Sequence, residues 1–120
     1  MRFNTLLAAA TVACGLIGTP IAAFAADKPV VGLVMKSLAN EFFKNMLEGA
    51  QVHNKEKGTY ELKAVGMQSE TDIEAQITAV ENVITQNVKA IVIAPADSRA
   101  LVPPLQRAVD AGILVVHIYV

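Results

Sequence analysis

VVGLVMKSLANEFF, residues 30–43, decides the fold. Its first half, Val30 to Met35, is a short apolar run without clean alternation, which suits a strand buried on both faces of a sheet. A polar turn from Lys36 to Asn40 follows, and then the period changes. Asn40 can cap a helix by accepting from its free backbone N–H groups, and Glu41 puts negative charge in the first turn. Phe43, Met46, Leu47 and Ala50 fall at i, i+3, i+4 and i+7, one buried stripe of that helix. The helix is expected to reach Lys57 and stop at Gly58, which is free to take the left-handed conformation.

Towards the C-terminus the alternation of strand and helix repeats. Tyr60 to Gly66 alternates, with Tyr60, Leu62 and Ala64 on one face and Glu61 and Lys63 on the other, as in an edge strand. Ser69 and Asp72 have the spacing of a capping box. Ile73, Ile77, Val80 and Ile84 mark the buried side of a second helix that closes near Asn87. Ala90 to Ala94 is another continuous apolar strand, broken at Pro95. A third helix begins between Ser98 and Leu101, with Pro103 and Pro104 in its first turn, where their missing N–H groups are not needed. It ends at Ala111-Gly112, and Ile113 to Ile118 is the last strand.

This order predicts right-handed β-α-β crossovers and an open parallel α/β sheet with helices on both faces. With Tyr60–Gly66 at an edge, the expected strand order is 2-1-3-4. The first helix covers one face, and the second and third cover the other. One helix then shields a four-stranded face, and the apolar strand Ile113–Ile118 is left on an edge, where it can template association. The layout reads as the front part of something longer, with a tendency to self-associate.

Towards the N-terminus, Arg2 precedes an apolar core from Leu6 to Ile17, Gly18 and Pro20 break it, and Ala23-Phe24-Ala25 supplies a small-x-small cleavage pattern. Residues 1–25 therefore read as a cleavable signal peptide, and residues 26–120 as the exported chain. Lipidation could use only Cys14, which lacks a leucine-like residue three places before it. Export would remove this cysteine, so the mature core holds without disulfides.

The chain carries 10 Lys and Arg against 11 Asp and Glu, for a net charge of −1, and its lysines are scattered. Nothing electrostatic recommends a nucleic-acid partner. Gly32 lacks the other glycines of a dinucleotide turn, and no phosphate-binding loop or nucleophile elbow occurs. The two histidines are far apart in sequence, and Asp97 has no second carboxylate or base beside it. No catalytic group, metal site or cofactor is expected.

Ligands of open parallel sheets sit beyond the C-terminal strand ends, where strand order reverses. Here that point lies between the first and third strands, so Lys36–Phe42 and Ala94–Ser98 are the candidate loops, with Met67–Glu70 off to the side. Lys36, Ser37 and Asn40 offer donors and an acceptor suited to hydroxyl groups. Phe42, one residue off the buried stripe, either stacks on a ligand or belongs to the edge of the core. Asp97 and Ser98 either cap the third helix, bind a ligand, or do both.

VVGLVMKSLANEFF, IVIAPADSRALVPPLQRAVDAGI and the signal peptide together resemble periplasmic sugar-binding proteins of bacterial ABC importers, of the ribose-binding type. The resemblance covers about residues 28–118 and implies the N-terminal part of the first of two lobes. It implies a periplasmic, non-enzymatic protein that captures a monosaccharide or sugar alcohol and docks on an inner-membrane permease or a chemoreceptor. An alternative on the same fold is a sugar sensor that presents its ligand to a chemoreceptor or sensor kinase.

Carried over, the ligand residues implied are Lys36, Asn40, Glu41, Phe42 and Phe43, with Asp97 and Ser98 beside the third strand. Three positions depart from the family pattern. Ala94 stands where some relatives have asparagine, His117 where asparagine or threonine is usual, and Tyr119 where an aspartate grips sugar hydroxyls. A single hydroxyl cannot accept as a carboxylate does.

Overall fold

Residues 27–119 are described by a computed structural model. The expected signal segment, residues 1–25, lies outside them, as does Cys14. The buried run after Pro29 forms β1 (Val30–Ser37), and Asn40 starts α1 (Glu41–Lys57) as expected. The Asn40 side chain accepts from the Phe42 N–H at 2.9 Å. At the far end Gly58 adopts φ 61° and its N–H closes the helix on the Asn54 carbonyl. A side chain there would carry the left-handed penalty that glycine avoids.

Five further elements follow: β2 (Glu61–Met67), α2 (Ile73–Thr85), β3 (Ala90–Ile93), α3 (Val102–Asp110) and β4 (Leu114–His117). All strand pairs are parallel, in the order β2-β1-β3-β4. Leu33 and Met35 of β1 point into one apolar layer with Phe43, while Val34 points into the other with Val80, Val83 and Leu105. The sheet thus lies between α1 on one side and α2 with α3 on the other. Gly32 lets α2 come close, because a Cβ at that position would stand 2.4 Å from Cγ1 of Val83.

Several local expectations are corrected. Ser69 and Asp72 do not form a capping box: Asp72 itself caps α2, accepting from the Ala75 N–H at 3.2 Å, while Ser69 Oγ accepts from the Thr71 N–H. The fully buried side of α2 is Gln76, Ala79, Val80 and Val83, with Ile73, Ile77 and Ile84 only half-buried. Small residues face the sheet where the helix is closest, and the isoleucines flank the contact. Strand β1 continues through Lys36 and Ser37 where a turn was expected, because Ser37 pairs with Met67 after a register shift. Residues 98–101 form a turn, and α3 starts at Val102 with both prolines in its first turn. Strand β4 is shorter than expected at both ends.

The edge expectations hold. On β2, Glu61 and Lys63 share a side, but beyond them the same side carries Val65 and buried Met67 into the α2 layer. Among the described residues, α1 is the only helix on its face. On β4, Leu114 is 64% exposed and Val116 42%.

Candidate functional site

The β1–β3 ladder runs from Val31↔Ala90 to Val34↔Ile93, and the Ala94 N–H makes its last bond, to the Val34 carbonyl at 3.0 Å. Beyond that point β1 swings away to pair Ser37 with Met67 of β2. The two central strands therefore fork at their C-terminal ends. This is the crevice that a reversal of strand order opens in such a sheet.

Two hollows lie at the C-terminal strand ends and share Lys36, one on the β2 side of β1 and one in the fork with β3. One, of about 360 Å³, is lined by Lys36, Asn40, Phe42, Phe43 and Glu70. The other, of about 310 Å³, is lined by Lys36, Pro95, Ala96, Ser98, His117, Ile118 and Tyr119. A larger groove of about 740 Å³ lies between β2 and α2 and touches none of these residues. It runs along the side of the sheet, not across the strand ends, so size does not make it the candidate site.

In the first hollow Phe43 is buried and Phe42 stands half out of the surface, 52% exposed. Their rings meet edge to face with centroids 5.2 Å apart. The Lys36 ammonium lies 5.9 Å from the centre of the Phe43 ring, within range of a cation–π attraction. Asn40 uses its oxygen on the helix cap and donates its amide to the Glu70 carboxylate. The arrangement offers an ammonium, a carboxylate oxygen, an amide N–H and an open aromatic face within one small volume. Those are the partners that a ligand rich in hydroxyl groups and C–H faces can use together.

Glu70 is the residue the sequence misplaced. The stretch Met67–Glu70 was expected to lie at the side of the cleft, yet the Ser37↔Met67 register carries Glu70 to Asn40. No local signal announces it, because the approach depends on how two strands align. The other expected residues divide. Glu41 sits exposed at the start of α1 and lines neither hollow. Ser37 is buried and committed: its hydroxyl donates to the Gln68 carbonyl at 3.0 Å and accepts from the Ala39 N–H.

Asp97 acts as a turn cap. Its Oδ1 accepts from the N–H groups of Arg99 at 2.9 Å and Ala100 at 2.7 Å. These bonds, Ala100 first, hold its carboxyl below the usual carboxylate range. Ser98 lines the second hollow and Asp97 does not. Ala94 is fully buried against Phe43 in the α1 layer. His117 and Tyr119 both reach the second hollow, Tyr119 almost wholly exposed.

The family described as the periplasmic binding protein domain matches residues 31–118. The D-ribose/D-allose-binding protein of Pseudomonas aeruginosa is 54% identical over 93 residues, covering 77% of this chain and 29% of that protein. A multiple sugar-binding periplasmic receptor from Rhizobium radiobacter is 34% identical, covering 93% of this chain and 30% of the receptor. Among solved structures, an ABC transporter solute-binding protein from Burkholderia multivorans superposes with a TM-score of 0.76 at 54% identity, covering 78% of this chain and 34% of that one. A periplasmic solute-binding protein from Actinobacillus succinogenes with bound D-allose gives 0.69 at 39% identity, covering 73% and 30%. The chain spans under a third of the length of the curated relatives it matches.

Proposed function

The chain belongs to the periplasmic binding protein domain family, and from that membership we propose that it forms part of a sugar-capturing lobe of an ABC importer's receptor. The observation that carries the reading is the hollow beside the β1–β3 fork, at the ends of β1 and β2, where Lys36, Asn40, Phe42, Phe43 and Glu70 converge. Lys36 donates to ring or hydroxyl oxygens, Phe42 stacks on the C–H face of the sugar, and Ser98 contributes from the β3 side. Asn40 and Phe43 hold these groups in place more than they touch ligand. D-ribose or D-allose is the favoured cargo, because the P. aeruginosa relative is named for both and the A. succinogenes neighbour holds D-allose.

The mechanism is capture and release. No bond is made or broken. A second lobe closes on the sugar, and the closed form docks on a membrane permease. The signal segment at residues 1–25 supports export to the periplasm, where the relatives from R. radiobacter and A. succinogenes are placed by name.

The test is a chimera in which residues 27–119 replace the matching part of the P. aeruginosa relative. Calorimetry with D-ribose and D-allose is expected to give dissociation constants in the micromolar range, or about 8 kcal/mol of binding free energy. A chimera that melts cooperatively like the parent, yet binds neither these sugars nor a panel of pentoses, hexoses and polyols, would overturn the proposal.

A further inference from the structure

Gln76 is wholly buried, and it is one of two buried polar or charged side chains among the described residues. It projects from α2 into the fork between β1 and β3. Its amide nitrogen donates to the Met35 carbonyl at 3.3 Å and the Ala94 carbonyl at 2.9 Å, and its oxygen accepts from the Ala96 N–H at 2.6 Å. An amide is the neutral side chain with two donors on one atom and an acceptor on the next. Ala96 N–H can only donate and the two carbonyls can only accept, so the orientation of the amide is fixed by its partners.

The place of these partners gives the residue its meaning. Met35 and Ala94 lie just past the last β1–β3 ladder bond, where the strands have parted. Their carbonyls face each other across a fork with no strand between them. Lys36 follows Met35 directly, and Ala96 and Ser98 follow Ala94 at short range. These residues form the two walls of the second hollow. One side chain spans the fork and ties both walls to the same helix.

We infer that Gln76 is a positioning residue for the ligand cleft: it sets the separation between the Lys36 wall and the Ala96–Ser98 wall. The inference rests on the sugar-binding reading for its ligand, but the clasp itself is defined without one. An apolar replacement fills the space and strands two buried carbonyls and a part-buried N–H, each of which then seeks water or another partner. The fork relaxes at the point where the ligand sits, while the core layer farther along α2 keeps its packing. A glutamate replacement is more specific. Its carboxylate would face two carbonyl oxygens and lose both donors, whereas its protonated form recovers one donor and one acceptor.

Val80, one turn along α2 and equally buried, is the control because it lies on the same helix and has no polar atom to bond the backbone at the fork. In the full chain, amide NMR should show Gln76→Met shifting Lys36, Ser37 and Ala96–Ser98 together, with faster exchange at Ala96, while Val80→Ala leaves both walls in place. Shifts confined to α2 overturn the inference, whatever the sugar results. In the chimera, Gln76→Met should weaken sugar affinity about tenfold, whereas Val80→Ala at a comparable loss of melting temperature leaves it nearly unchanged. Gln76→Glu should bind weakly at neutral pH and recover towards the unsubstituted chimera on acidification. Equal affinity losses for Gln76→Met and Val80→Ala, or a Gln76→Glu variant with no pH dependence of its own, overturn it. If the unsubstituted chimera binds no sugar, the functional reading fails, and the NMR comparison still decides the clasp.

Discussion

Phe42 and Phe43 are adjacent and chemically identical, yet one is core and the other is surface. A helix turns about 100° per residue, so neighbours cannot share a face. In the chimera, Phe42→Ala should cost about 1–3 kcal/mol of sugar affinity, the scale of an aromatic anchor in a binding site, with little change in melting temperature. Unchanged affinity with a large loss of stability would make the ring part of the core. Asp97 carries a pH effect whose sign follows from its cap. Its folded-state carboxyl titrates below the ordinary aspartate value of about 4. The stabilisation it gives is therefore complete above that ordinary value and is lost as pH falls through the lower, folded-state value. Protection of the Arg99 and Ala100 amides from hydrogen exchange should drop across that acid window. Asp97→Asn, which keeps an acceptor oxygen, should abolish the pH response without abolishing the protection. An identical acid response in Asp97→Asn would show that the cap is not its source.

At the scale of elements, the contact that sets the sheet against its helices is Gly32 under Val83. A methyl group at Gly32 would stand 2.4 Å from a Val83 methyl, well inside contact distance, so α2 must lift or Val83 must leave its rotamer. Gly32→Ala should destabilise the chain by about 1–3 kcal/mol, as overpacking of a close core contact does, and urea unfolding measures it. The double variant with Val83→Ala should recover part of that loss, and an absence of coupling would place the strain elsewhere. The same closeness explains which side of α2 is buried. The isoleucine periodicity is a real stripe, but the nearest approach to β1 selects Ala79, Val80 and Val83 and leaves the bulkier residues at the flanks.

For the molecule as a whole, the exposed edge of β4 is the dominant feature. Leu114 and Val116 are exposed on a strand whose one neighbour among the described residues is β3. Apolar area left in water is worth about 25 cal/mol per Å² to whatever covers it, and the free backbone groups of an edge add a template for pairing. The isolated chain should associate in a concentration-dependent way by light scattering, and Leu114→Lys with Val116→Lys should suppress it. A monomer at every concentration would contradict the edge argument. The isolated chain should also give no calorimetric response to sugars that the chimera binds, since an open fork supplies contacts to one side of a ligand and leaves the other in water.

The order of elements, the parallel sheet, the edge position of β2 and the Asn40 and Gly58 caps were all legible in the chain. Each depends on local chemistry: a run of apolar residues, a period of 3.6 or 2, an acceptor placed before a helix, a glycine placed after it. Lys36, Asn40, Phe42 and Ser98, which line the two hollows, were legible as candidates because strand order alone says where such a sheet opens. Glu70 and Gln76 were not found, and they fail to show for a common cause. Each acts on residues 30 and 41 or 18 positions away, across strand alignments that no stretch of sequence displays. In a helix a glutamine reads as solvent-facing, and Gln76 is buried only because two strands part beneath it and leave carbonyls to be met. Local propensity settles which elements form; the strand alignments that arise when they meet, and the backbone groups those leave unpaired, settle where Glu70 and Gln76 are held.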